Sequence, residues 1–120
     1  MIGNVDASRR ALLEVLVQRN SDSPVVPITV WVDTAFTGYF VFPRALIESL
    51  KLDQLSTTEA ILADGSKVSH EAYFCYVDWF GQLTPAQAIA NDGQLPLLGT
   101  ELLDKRLLSV DYVKGHVTLD

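Results

Sequence analysis

Cysteine is nearly absent: Cys75 is the one thiol in 120 residues, so no intrachain disulfide can form and no multi-cysteine zinc or iron–sulfur site can be built. A reducing, cytoplasmic setting is the expectation. Cations are scarce too, with 9 Lys and Arg against 15 Asp and Glu, a formal charge of −6, and no basic run longer than the pairs Arg9-Arg10 and Lys105-Arg106. That balance argues against nucleic acid as a partner. No apolar run approaches the roughly 18 residues of a spanning helix. Ala11 to Val17 is broken by Glu14 and has no small-residue cleavage pattern behind it, so no membrane partner is expected. With only 7 Gly and 5 Pro, the chain is neither a fibre nor a disordered tail. The two histidines, His70 and His116, stand 46 positions apart without acidic partners at ligand spacing, so neither a metal nor another cofactor is expected.

What the chain does have is 48% apolar residues, enough for one core and too short a length for two lobes, so residues 1–120 read as one domain. Leu12, Val15, Leu16 and Arg19 fit a helical face while Leu13, Val15 and Val17 fit a strand face; the turn cluster Asn20-Ser21-Asp22-Ser23-Pro24 and the β-branched run Val25 to Val32 favour a hairpin. Tyr39 to Phe42 resumes strand character. Pro43 stands at a natural first position for a short helix, Arg44 to Leu50, with Leu46, Ile47 and Leu50 on one face. Thr57 to Ala63 and Ser66 to Trp79 read as strands joined by Asp64-Gly65, a dipeptide suited to a tight hairpin turn. Leu83 to Ala90 is a further strand, Thr100 to Leu103 a possible helical turn, and Leu107 to Tyr112 with His116 to Leu119 a terminal hairpin about Lys114-Gly115. Seven to nine short strands at this spacing imply an all-β sandwich or barrel with one or two short helices.

The strongest chemical signal is Asp33-Thr34-Ala35 directly after an apolar strand, with Phe36-Thr37-Gly38 behind it and Leu97-Leu98-Gly99 ending 66 positions beyond Asp33. Alone, an Asp-Thr-small triplet is more often a turn in which the carboxylate caps backbone N–H groups. The ordered set of strand, Asp-Thr-Ala loop, long Asp-Gly hairpin, Leu-Leu-Gly and terminal hairpin is less common. It resembles the retropepsin-like aspartic protease family, most closely its small single-lobe bacterial members, from about Gly3 to Leu119. The resemblance implies a retropepsin-like acid protease fold closed as a twofold homodimer, with Asp33 catalytic and Thr34 gripping its counterpart across the axis. It implies supporting roles for Ala35 and Thr37 in the loop, and packing of Leu97-Leu98-Gly99 beneath it. Leu62-Ala63-Asp64-Gly65-Ser66 would be the tip of a flap over a bound peptide, and both termini would serve as intermolecular strands. Ala35 stands where the family usually has Gly.

Peptide hydrolysis without a metal or covalent nucleophile needs one carboxylate to take a proton from water and one carboxylic acid to polarise the scissile carbonyl. With one Asp-Thr-Ala loop per chain, the second carboxyl must come from a symmetry mate. The expected function is therefore an aspartic endopeptidase acting on extended peptide or protein substrates with apolar residues flanking the cut. The alternative is a catalytically inactive dimeric module of the same fold that binds peptides or serves structure, for which Ala35 is the hint. A cysteine-dependent enzyme ranks third, because Cys75 in Glu71 to Val77 reads as a buried small apolar residue, and His70 is an odd number of positions from it, on the other strand face. Trp31 and Trp79 read as core or interface anchors.

Overall fold

The computed structural model describes residues 1–61 and 64–120, apart from the side chains of 58–61 and 68. Along the chain run strands β1 (Ile2–Val5), β2 (Ala11–Gln18), β3 (Val26–Val32) and β4 (Phe40–Pro43), helix α1 (Arg44–Leu50), then β5 (Asp53–Ile61), β6 (Lys67–Trp79), β7 (Gln82–Asn91), β8 (Leu97–Leu98), β9 (Leu108–Asp111) and β10 (His116–Leu119). All ten strands join one sheet in the order β5-β6-β7-β4-β8-β3-β2-β1-β10-β9. A further antiparallel pairing of β2 with β6, Val17↔Val77 and Gln18↔Tyr76, closes six of these strands into a barrel.

Alternation along each strand decides what fills that barrel. On β2, Leu13, Val15 and Val17 point inward, and on β3 Ile28, Val30 and Val32 do the same. Their register, Leu12↔Trp31 through Val17↔Val26, makes the expected hairpin. On β4 both faces are covered, and Phe40 and Phe42 are fully buried with ring centroids 4.9 Å apart. Opposite them on β7 stand Ala88 and Ala90, small residues that leave room for the two rings. Among the described residues, no polar or charged side chain is buried.

The short helix begins at Arg44, with Pro43 as its N-cap rather than its first turn, and buries Ile47 against the core. Thr100 to Lys105 forms successive turns instead of a second helix, tied by Leu102 N–H to the Gly99 carbonyl and Leu103 N–H to that of Thr100. Two strand segments lack sequence signal. β1 is a pairing strand of mixed, partly exposed residues, and β5 starts at Asp53, four places before its β-rich part, across a register shift between Gln54 and Ser56. Trp79 is buried, whereas Trp31 is 39% exposed and lies under the Arg10 guanidinium, 5.7 Å from its ring centroid.

The termini pair with each other inside the chain: Ile2↔Thr118, Gly3↔Val117 and Asn4↔His116. Because β1 lies between β2 and β10, and β10 between β1 and β9, neither has an edge to offer another molecule. This corrects the expectation that both termini act as intermolecular strands; on this side of the sheet the open edge belongs to β9.

Cys75, between Phe74 and Tyr76 in sequence, is fully buried, and burial pushes its thiol pKa up to about 12. The folded chain keeps this proton at pH values where the unfolded chain has lost it, so stability is intact below the ordinary thiol range and falls as pH rises from there toward about 12. Urea unfolding from pH 7 to 11 should show a smaller alkaline decline for Cys75→Ala than for the wild type, and iodoacetamide at pH 8 should label Cys75 only after denaturation. Rapid labelling of the native protein would contradict the burial.

Candidate active site

Strand β3 delivers Asp33 to the top of the barrel, and β8 holds it there. The two residues of β8 lie between β3, in parallel through Trp31↔Leu97 and Val32↔Leu98, and β4, antiparallel through Phe40↔Leu98 and Val41↔Leu97. The Asp33 N–H donates to the Leu98 carbonyl at 2.8 Å, so the catalytic candidate is the next rung of the same ladder. Leu98 itself is fully buried beneath the loop.

Within the loop, the Ala35 N–H donates to Asp33 Oδ1 at 3.0 Å and the Phe36 N–H to the Asp33 carbonyl at 3.2 Å. Asp33 is half-buried, while Thr34, Ala35 and Thr37 are exposed. Left-handed backbone among the described non-glycine residues is confined to Arg9, Lys51, Phe80 and Lys105, so Ala35 carries no such strain. Three more backbone bonds fasten the loop from below: Gly99 N–H to Tyr39, Thr100 N–H to Phe36 and Glu101 N–H to Gly38, at 2.8, 2.8 and 3.1 Å. The expected loop residues Asp33, Thr34, Ala35 and Thr37 are thus brought together with Leu98 and Gly99.

The hairpin β5–β6 pairs from Asp53↔Phe74 to Ile61↔Lys67. At its turn Gly65 has φ +86°, and Asp64 Oδ1 accepts bonds from the Ser66 hydroxyl and N–H at 2.6 and 2.9 Å. Those two bonds hold the Asp64 carboxyl below the usual carboxylate range, as suits a turn residue and not a general acid. Ala63, also expected at the flap tip, lies outside the described residues.

A cavity of about 380 Å3 opens beside Asp33. Its floor is a cross-strand row in which Leu97 stands opposite Val41 and Val41 opposite Ile89, on the face away from the barrel core. His70 and Asn91 also line it. None of Val41, Ile89, His70 and Asn91 stood out in the sequence as a site residue; the parity of His70 with Ala72, once the β6–β7 register is known, is the signal that locates it. Among the described residues, no three His, Cys, Asp or Glu side chains converge as a metal would require, and no helix is long and apolar enough to cross a membrane.

The molecule is a closed β-barrel with an acidic loop pinned by a two-residue strand and a hairpin beside it. Three solved structures share this architecture. A retropepsin-like aspartic protease from Rickettsia conorii superimposes with a TM-score of 0.71 at 18% identity, covering 99% of this chain and 88% of that one. EIAV protease, solved with the inhibitor HBY-793, gives 0.56 at 20% identity over 82% and 89%. Simian foamy virus (mac) protease gives 0.54 at 14% identity over 77% and 92%. No protein-family model matches the chain, and no curated protein matches it in sequence. The chain has the retropepsin-like fold.

Gly99 is fixed by space. A Cβ there would sit 2.2 Å from the Gly38 carbonyl oxygen and 2.5 Å from Phe36 Cδ2, so Gly99→Ala must displace the loop and should cost about 2–3 kcal/mol in urea unfolding. Gly81→Ala, at φ +83° with nothing within 4 Å, should cost only about 1 kcal/mol of backbone strain. Equal losses would mean that the packing under the loop is slack.

Proposed function

We propose that residues 1–120 form an aspartic endopeptidase domain in which Asp33 of two copies makes one catalytic dyad. The observation that carries this reading is Asp33 itself, held half-buried at the mouth of an apolar cavity by the Leu98 carbonyl in a retropepsin-like fold. One carboxyl cannot be base and acid in the same step. Across a twofold axis, one Asp33 takes the proton from water as it attacks the scissile carbonyl, and the protonated partner polarises the carbonyl oxygen. Thr34 grips its symmetry mate, a role its exposure next to Asp33 supports, and Leu98 and Gly99 support the loop from below. The Asp64-Gly65 hairpin, with Ala63 beside it, is the flap that covers an extended peptide.

Dimerisation is part of this reading. Its support is the open edge of β9 and the apolar residues flanking it, Leu107, Tyr112 and Val113, which are 65%, 63% and 97% exposed. A cytoplasmic setting belongs to it too, since the single buried thiol needs no oxidising compartment.

Asp33→Asn is the test of mechanism. It should lower peptide cleavage by roughly 10²–10⁴-fold, the usual worth of acid–base groups, with the circular dichroism spectrum unchanged. The wild-type rate should follow a bell in pH, because only the singly protonated dyad holds both a base and an acid, and its limbs belong to the pair. Undiminished cleavage by Asp33→Asn would overturn the mechanism, and a flat pH profile would overturn the dyad. Sedimentation at micromolar concentration should give a dimer that Leu107→Asp with Val113→Asp converts to monomers lacking activity. A fully active monomer would remove the need for a second copy.

A further inference from the structure

The cavity beside Asp33 has an apolar floor and a polar far wall, His70 and Asn91. His70 lies on β6 two residues before Ala72, and Asn91 on β7 two residues after Ile89. Ala72 and Ile89 are the last antiparallel pair of the β6–β7 ladder; beyond it β6 continues beside β5 and β7 beside β4, and His70 and Asn91, each two residues past that pair, both line the cavity. Asn91 Oδ1 accepts the Gly93 N–H at 3.1 Å, and its Nδ2 amide makes no hydrogen bond among the described residues. That group can only donate. His70 is exposed to the cavity and brings at least one ring N–H in either tautomer. Asp33 is the one carboxylate lining this cavity among the described residues, and it stands at the reacting end.

We propose that His70 and Asn91 form a donor-lined subsite that selects a substrate side chain with an apolar stem and a hydrogen-bond-accepting tip, the chemistry shared by glutamine and glutamate. The inference rests on the protease reading for the position of the subsite next to the scissile bond, and on the donor geometry for its selectivity. The stem of such a side chain lies on Leu97, Val41 and Ile89, and its terminal oxygen accepts from Asn91 Nδ2 and the His70 ring. A leucine would fill the floor but leave the Asn91 amide and the His70 ring N–H without partners once water is excluded. This departs from a purely apolar preference around the cut.

The test is binding of peptides that cannot be cleaved, so that it does not depend on turnover. Reduced-amide hexapeptide pools, randomised except for Gln, Glu, Leu or Lys beside the isostere, are titrated into the wild-type protein and two variants. Roughly tenfold tighter binding of the Gln or the Glu pool than of the Leu pool is expected for two hydrogen bonds formed away from water, and the Gln-to-Glu ratio identifies the tip. His70→Leu should bring the ratio near one. Asn91→Asp keeps the acceptor for the Gly93 N–H, so the turn survives, but replaces the free donor with an acceptor and should shift preference to the Lys pool. Equal binding of all pools, no binding of any, or an unchanged preference in both variants would overturn the subsite. A wild-type protein with the expected preference and no cleavage would overturn the hydrolytic reading and leave the subsite standing; cleavage without the preference would do the reverse.

Discussion

Two residues, Leu97 and Leu98, hold the functional end of this molecule together. A strand that short has no independent stability; it exists because β3 and β4 offer it hydrogen-bonding partners on both sides while Leu98 drops into the core. In return it satisfies the backbone at the place where the chain leaves the barrel. The Leu98 carbonyl takes the Asp33 N–H and the Tyr39 carbonyl takes the Gly99 N–H, so the loop between β3 and β4 is tied at each end to one peptide unit, Leu98–Gly99. A carboxylate on a free loop would sample many directions, whereas one on the next rung of a buried ladder is confined before any substrate arrives.

The barrel around β8 supplies the rigidity this requires. Closing β2 onto β6 removes two open edges and leaves the large rings of Phe40 and Phe42 facing the alanines of β7. Outward from this closure, the same strands present their alternate residues as the cavity floor, so Val41 and Ile89 belong to the site by parity while their neighbours Phe42 and Ala88 belong to the core. Site and core are two faces of one register. A one-residue slip would exchange them.

Much of this was legible from residue types. The β2–β3 hairpin, α1, the Asp64-Gly65 turn and the Asp33 loop each carry local signals: β-branched runs, a proline before a helix, or a turn dipeptide. What lacked such signals was whatever tertiary pairing creates. Ile2 to Val5 has no strand composition and becomes β1 because β2 and β10 flank it. Thr100 to Leu103 looks like a helix start, yet its N–H groups are drawn to the Phe36 and Gly38 carbonyls below the loop. His70 was invisible as a site residue, because strand parity separates it from Cys75 but cannot say which strand it faces. Only the pairing of Ala72 with Ile89 answers that. The roles proposed for Asp33, Thr34 and the flap came from a family resemblance, and the second carboxyl that this proposal calls for lies in no single chain.

Ala35, the residue that the family resemblance would lead one to expect as glycine, shows where the loop's steric constraint resides. The Ala35 N–H reaches Asp33 Oδ1 at 3.0 Å without the residue entering the left-handed region, and Ala35 is exposed, so its methyl group comes at no conformational cost. The close approaches fall elsewhere: a Cβ at Gly38 would meet the Phe36 ring at 2.4 Å, and one at Gly99 would meet the Gly38 carbonyl at 2.2 Å. The first neighbour is a side chain that can turn, and the second is backbone held by the Glu101 N–H. Gly99, far from Asp33 in sequence, is therefore the glycine that the geometry of this loop requires most, and a substitution next to the carboxylate is the one it can absorb.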